Sequence, residues 1–380
     1  MKPVLLWSDA LFFLLIASAV AGGLWAARTE HLRLAWRRVG QSRVGMGAAA
    51  VLVVFFAIGV VDSLHYRQQL PDSPQGQATK GEARYSVEVL SALDALLTPL
   101  RTHTEKTYSA PLATHLYAKE TLDDAGRDFP PLKYPGTHLF GTDKVGQDVL
   151  YLTLKSIRTG LLIGTLTTLI MLPAAVFLGL LAGYAGGWID DVIQYLYTTL
   201  NSIPGVLLIA AAVLMMQVAI DNHPEWFATS AERADARLLA LCAILGITSW
   251  TGLCRLLRGE TLKLRELEYV QAARALGVSG ARILWRHILP NLMHIVLIAI
   301  VMDFSGLVLA EAVLSYVGIG VDPNTISFGT MINTARMELA REPMVWWSLA
   351  AAFAFMFVLV LAANLFTDVM RDAFDPRMVR

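Results

Sequence analysis

Asp303 and Glu311 interrupt an otherwise apolar run, His294 to Val317, and are the only carboxylate pair inside such a run. An ionisable side chain there is expensive unless it is paired or faces a polar cavity. Their spacing of eight residues puts them on roughly one helix face, about two turns apart. Two readings follow. Both carboxylates are candidate residues of a polar pathway wall; alternatively, Glu311 hydrogen-bonds a neighbouring helix or sits near the outer interface. An intramembrane enzyme would need a nucleophile–base or paired-carboxylate constellation with supporting neighbours; Asp303 with Glu311 is the one carboxylate pair within a span, and no metal-ligating HExxH accompanies it. His287 and His294 are too few for a metal site. Cys242 and Cys254 fall in or beside one apolar run and read as small packed side chains, not as a disulfide or metal site. No Gly-x-x-x-x-Gly-Lys-[Ser/Thr] phosphate loop is present, so the chain binds no ATP by that device and no cofactor is expected on it.

The elements that position these residues are membrane spans. Of the 380 residues, 55% are hydrophobic and only 16% charged, against about a quarter charged in soluble domains. The formal net charge is zero, and nothing suggests a nucleic-acid partner. Crossing a bilayer takes about 20 apolar residues. Runs approaching or exceeding that length occur at Ala10 to Ala27, Val44 to Val61, Thr159 to Ile189, Val192 to Ile220, Leu238 to Cys254, His294 to Val317 and Met344 to Thr367. The expected fold is therefore an all-α integral membrane protein, a polytopic helical bundle of about seven transmembrane helices. Kinks are expected at Pro173 and around Asn201, Ser202 and Pro204.

Arg28, Arg33, Arg37, Arg38 and Arg43 crowd the loop between the first two spans against a single Glu30. By the positive-inside rule that loop is cytoplasmic and the N-terminus lies outside. The loop between the fifth and sixth spans is then cytoplasmic too, and it carries Arg255, Arg258, Lys263, Arg265, Arg274, Arg282 and Arg286 against Glu260, Glu266 and Glu268. The C-terminal tail, with Arg371, Arg377 and Arg380, is again inside. The resulting division is residues 1–62 (two spans and a basic loop), 63–151 (an outer insert), 152–370 (the main membrane domain, with a cytoplasmic loop over 255–290) and 371–380 (a tail). In the insert, 71–76 reads as a flexible link and Tyr85 to Leu100 as a small helix. The first span lacks the flanks of a cleaved signal peptide.

Glu268 to Asn291, EYVQAARALGVSGARILWRHILPN, is far more polar than the runs on either side. Tyr269, Ala272, Ala273 and Leu276 form the i, i+3, i+4, i+7 stripe of an amphipathic helix. Gly277 follows where a C-cap tolerates the left-handed conformation. Ser279 caps a second short helix bearing Ile283, Leu284 and Ile288, which Pro290 stops. The pattern predicts a helix, a glycine hinge and a second helix at a membrane surface, a knob suited to a groove on another protein.

This stretch resembles the cytoplasmic EAA loop of ABC-importer permeases: Ala272-Ala273, Gly277 four residues on, then Ile288-Leu289-Pro290, with Gln271 where that family has Glu. Further segments resemble signatures of the dipeptide, oligopeptide and nickel importer permeases. They are His138 to Leu150 (HLFGTDKVGQDVL, with Gln147 for the family's Arg), Ala182 to Asp190, Ala310 to Gly320, and Asn364 to Arg377. In the first of these, Gly141 and Gly146 permit tight turns, and Asp143 and Asp148 can cap backbone N–H groups. The resemblance covers about His138 to Arg377. It implies a MetI-like permease of the second subunit type in a bacterial inner (plasma) membrane, with a six-span core plus one extra N-terminal span here. The partners it implies are a second permease subunit in a heterodimer, separate ABC ATPase subunits that use the ATP, and a periplasmic or lipid-anchored solute-binding protein. The implied ATPase-coupling residues are Glu268, Tyr269, Gln271, Ala272, Ala273, Leu276, Gly277, Ile283, Leu289 and Pro290, with Arg274 and Gln271 making rim contacts. Di- or oligopeptides are the implied cargo, nickel chelates or another small solute the alternative. From a different class, an ion-gradient-driven secondary transporter would leave the hinged loop unexplained.

Overall fold

A computed structural model describes residues 2–28, 30–69, 85–122, 126–227, 229–322 and 324–374. The link expected at 71–76 and the tail arginines Arg377 and Arg380 lie outside the described residues. In chain order the elements begin with β1 (Lys2–Val4), α1 (Trp7–Arg28), α2 (Glu30–Gln41), α3 (Arg43–Asp62), β2 (His65–Gln69), β3 (Tyr85–Ser91), α4 (Ala92–Leu96), α5 (Thr98–Thr102), β4 (Glu120–Leu122) and β5 (Gly126–Asp128). They continue with α6 (Val149–Ala185), α7 (Gly187–Ser202), α8 (Gly205–Asn222), α9 (Ser230–Ser249), α10 (Thr251–Arg265), α11 (Glu268–Ala275) and α12 (Gly280–Ile283). A π-turn (Leu284–Ile288) leads into α13 (Leu289–Val317), followed by α14 (Phe328–Glu338) and α15 (Trp347–Phe374). Among the described residues seven helical runs are long and apolar enough to cross a bilayer: α1, α3, α6, α8, α9–α10, α12–α13 and α15. The chain is a multi-pass helical membrane protein, as its composition requires.

The structure redraws several boundaries. The fourth span is α8 alone, because Pro204 carries no N–H and leaves Ile203 extended (φ −92°, ψ 131°), the conformation favoured before proline. The residues from Val192 to Ser202 therefore belong to α7, an amphipathic helix of its own. Pro290 does not end a helix. It sits in the first turn of α13, where its missing N–H costs nothing, and the helical path runs on through the π-turn. Tyr85 to Leu100 is not one helix either. Its first seven residues form β3, and two short helices follow. Val87, Val89 and Ser91 alternate with Glu88 and Leu90 there, and pairing with β2 outweighs the helical spacing of the leucines. The small sheet β1-β2-β3, with Lys2 opposite Arg67 and His65 opposite Ser91, adds strands to the helical bundle. It also puts the N-terminal residues on the same side as the insert.

α6 is the central post: α1, α3, α9, α10, α13, α14 and α15 all pack on it. Ile157, Leu161, Leu162 and Ile163 in its N-terminal half are fully buried. The segment before it turns at Gly141 and Gly146. Asp143 accepts from the N–H groups of Val145 and Gln147, and Asp148 caps α6 by accepting from Leu150 and Tyr151 at 2.8 and 3.2 Å. Trp347 Nε1 donates to the Thr142 carbonyl at 2.9 Å, tying the start of α15 to the same turn.

Charged side chains fasten the first two spans and the insert to the N-terminal end of α6. Arg158 donates to Asp9 (2.5 Å) and to Ser63 (3.1 Å), and Asp9 also meets His65 at 2.7 Å. Ser8 bonds Asp235 of α9 through both its backbone N–H and its hydroxyl. One turn earlier on α6, Lys155 contacts Asp94 at 2.8 Å and Asp62 at 3.3 Å, and Tyr151 donates to Asp94. Burial would raise the Asp94 carboxyl, but the Lys155 charge and the hydrogen bonds outweigh it and hold it below the usual range. Removing one partner of such a buried set leaves uncompensated charge, at a cost of about 3–5 kcal/mol. Arg158→Leu is therefore expected to lower the melting temperature of the purified protein by several degrees, and adding Asp9→Asn should recover part of the loss. An unchanged melting temperature in Arg158→Leu would show that the cluster does not hold α1 in place.

Candidate functional site

At the opposite end of the bundle α11 lies as a short amphipathic helix between α10 and α13. It opens with Glu268 in its first turn, a favourable place for a negative charge beside the helix N-terminus. It ends where Gly277 takes φ +76°, with its N–H on the Arg274 carbonyl and the Val278 N–H on the Ala273 carbonyl. A side chain at that φ is strained whatever space surrounds it, and open space does surround it. The expected hinge is therefore present. Ser279 occupies the N-cap position of α12, but its side chain makes no capping bond.

The stripe expected along α11 divides. Val270 and Ala273 are buried in one apolar cluster with Leu257, Ile283 and Ile288, so Ala273 packs inward and is not a docking surface. Leu289 is partly buried beside them, and Pro290 is exposed. Tyr269, Ala272 and Leu276 face outward, with Leu276 83% exposed, more than any other large apolar side chain described. Gln271 and Arg274 are exposed as well but are turned back on their own chain. The Gln271 amide donates to the Arg265 carbonyl at 3.0 Å, and the Arg274 guanidinium lies 5.8 Å from the ring centroid of Tyr184 near the end of α6. Asn291 in the first turn of α13 donates to the Tyr269 hydroxyl at 3.1 Å. One eight-residue helix is thus fastened to α6, α10 and α13 while keeping an apolar face free.

The scaffold under α11 is the packing of α10 on α6. A Cβ at Gly183 would fall 2.5 Å from the Thr261 Cβ and 2.7 Å from the Arg258 carbonyl oxygen. At Gly179 it would fall 2.8 Å from the Cys254 carbonyl oxygen. With Ala175, these glycines make a small-xxx-small ridge, which lets helix backbones approach closely where lipid supplies no hydrophobic drive. Arg265 donates to the Gly183 carbonyl at 3.1 Å. Arg258 forks onto Asp190 of α7 at 2.5 and 2.7 Å. Those bonds hold the Asp190 carboxyl below its usual range against opposing burial. A depressed carboxylate stabilises the fold above its unfolded pKa and loses that contribution as pH falls through the folded one, so the α7–α10 latch is charged at neutral pH. In the sequence Arg258 and Arg265 stood out only as part of a basic loop, and Gly183 and Asp190 only within the Ala182 to Asp190 signature, with nothing to pair them. The readable signal was the four-residue spacing of Ala175, Gly179 and Gly183.

The two intramembrane carboxylates of α13 part company. Glu311 is buried and accepts from Ser315 (2.7 Å) and from Ser327 (2.8 Å), the N-cap of α14. Of the two readings of Glu311 the geometry fits the second: it hydrogen-bonds the start of a neighbouring helix and sits beside the N-terminus of α14, where negative charge is favoured. Asp303, half-buried two turns away, forms no hydrogen bond or ion pair among the described residues.

The family model for the binding-protein-dependent transport system inner membrane component matches residues 175–380, which include α7 to α15. The chain is similar to the oligopeptide transport system permease protein OppC of Mycobacterium bovis, 32% identical over 246 residues, 64% of this chain and 78% of that protein. It is 33% identical over 241 residues to the glutathione transport system permease protein GsiD of Pectobacterium atrosepticum, covering 63% and 73% of the two chains. To the dipeptide transport system permease protein DppC of Bacillus subtilis it is 27% identical over 269 residues, 71% and 76% respectively.

The left-handed hinge is testable without reference to activity. Gly277→Ala should cost about 1–2 kcal/mol locally and so speed amide hydrogen exchange across 268–276 about tenfold, whereas Gly277→Asn, which tolerates that conformation better, should do so less. Equal exchange in all three proteins would mean the hinge conformation is not what seats α11.

Proposed function

Since this chain belongs to the family of binding-protein-dependent transport system inner membrane components, we propose that it is the permease subunit of an ATP-driven ABC importer, and that α11 is the piece its ATPase grips. In this reading a second permease completes the translocation pathway, separate subunits hydrolyse ATP, and a solute-binding protein delivers cargo on the insert's side. The membrane is the bacterial inner membrane, with the N-terminus outside and α11 and the C-terminal tail in the cytoplasm, as the arginine distribution favours. The relatives named for oligopeptide, dipeptide and glutathione transport support di- or oligopeptide cargo.

One observation carries the coupling role. Leu276, the most exposed large apolar side chain among the described residues, and its small neighbour Ala272 sit on a helix whose other contacts reach three spans. A groove closing on Leu276 and Ala272 would push α11 as a rigid lever. The push passes through Gln271 and Arg265 to α10 and α6, and through Asn291 to α13, and rocks the spans between outward- and inward-open states. Leu276→Arg and Ala272→Arg, both at exposed positions, are expected to abolish substrate-stimulated ATP hydrolysis by the assembled complex while membrane insertion stays normal. Full activity in both variants would overturn the docking role. Transport by the purified chain in vesicles without nucleotide or companion subunits would instead favour a secondary transporter.

Asp303 is the pathway candidate that remains. An unpaired carboxylate at bilayer depth is costly unless something outside the chain meets it, either water in the pathway or the second permease. Asp303→Leu should reduce transport by the reconstituted complex at least tenfold with ATPase docking intact, and Asp303→Asn should retain more. A transport rate unchanged in Asp303→Leu would exclude it from the pathway.

A further inference from the structure

The inner half of α1 stands away from the bundle. Asp9 and Phe12 near its outer end are buried, whereas Val20 and Leu24 are 57% and 63% exposed. Between α1 and the helices α3, α6, α13 and α15 lies a cavity of about 450 Å³, walled by side chains such as Ile16, Leu52, Leu172, Val301, Phe304 and Phe366. All of these belong to membrane spans, so the cavity lies at bilayer depth. Its few polar side chains have no proton left to donate to a guest, because the Ser18, Thr165 and Thr168 hydroxyls donate to carbonyls of their own helices at 2.8, 2.6 and 2.7 Å. A space of this size without hydrogen-bonding partners suits hydrocarbon, not water.

A second observation concerns α2, which joins α1 to α3 and packs on the end of α15, three of the helices around the cavity. Val39 is buried there with Met370 and Ala373, and the Trp36 ring meets Phe374 edge-on at 6.0 Å. On its outer side Arg33, Arg37 and Arg38, with Arg43 at the start of α3, are exposed, and none forms an ion pair among the described residues. A basic amphipathic helix of this kind lies in the headgroup layer, where each arginine adds attraction to anionic lipid.

We propose that the wedge between α1 and the bundle is a phospholipid site, one acyl chain filling the cavity and an anionic headgroup held by the arginines of α2. The lipid thereby completes the packing of α1, whose described core contacts are made by its first half, from Ser8 to Ile16.

The test uses the full importer complex equilibrated in vesicles containing equal amounts of phosphatidylglycerol and phosphatidylcholine, extracted in mild detergent and weighed by native mass spectrometry. Phosphatidylglycerol should be retained preferentially. Arg37→Gln and Arg38→Gln should each lower its retention about fivefold, and Ile16→Trp or Leu52→Trp should expel the chain and lower retention of both lipids. Should a cavity-filling variant fail to assemble, the arginine variants, on an exposed surface, still decide. Equal retention of the two headgroups with silent arginine variants would overturn the proposal. So would assembled cavity variants that keep their lipid, or an Ile16→Cys cross-link that captures a helix of the second permease.

Discussion

Because Gly179 and Gly183 carry no side chains, the backbones of α6 and α10 come into direct contact, and the whole inner end of the molecule is built outward from that contact. In a bilayer, lipid tails are as apolar as leucine, and helices associate by fit more than by exclusion from water. The fit fixes where α10 ends. The end of α10 fixes Arg265, whose guanidinium grips α6 and whose carbonyl holds Gln271 of α11. The Arg258–Asp190 fork then adds α7 to the same assembly. An ATPase pressing on α11 would meet a unit braced on three spans, not a loop able to absorb the displacement.

The opposite end, around the start of α6, is held mostly by charge. Asp9, Arg158, His65, Asp94, Lys155 and Asp62 form a belt of charge-assisted bonds among α1, α3, α6 and the insert. Such bonds have strict geometry and tolerate little sliding, whereas the apolar contacts further in have no preferred direction. The end of the bundle that bears α11 thus combines close backbone packing with the Arg258–Asp190 fork, while the opposite end is pinned by the charged belt. Glu311 belongs with the pinned part, since it anchors the loop that turns α13 into α14.

Much of this was legible in the residues. Long apolar runs mark the spans, and the amphipathic 268–276 stretch followed by Gly277 marks the hinged helix, because both rest on local periodicity and a single backbone conformation. What was not legible depended on distant neighbours. Whether Ala273 faces in or out is settled by Ile283 and Leu257, which lie on other elements. A hydrogen bond between Glu311 and a neighbouring helix was one of its two readings, but the partner was not legible, because Ser327 is sixteen residues away and supplied by a returning loop. Tyr85 to Leu100 shows leucines at helical spacing, yet β2 was available to pair with its first half. The break at Pro204 was expected, though as a kink within one span. That it ends a helix outright follows from Ile203 staying extended.

The π-turn at Leu284–Ile288 has a consequence for how this region can vary. One residue added to a helical turn rotates everything beyond it by about 100° relative to a regular helix. Asp303 and Glu311 both lie downstream, so their directions are set by the number of residues in that turn as much as by their identity. Deleting one residue there would regularise the helix yet swing Glu311 away from Ser327. The length of that turn is thus itself a structural constraint on where Glu311 points.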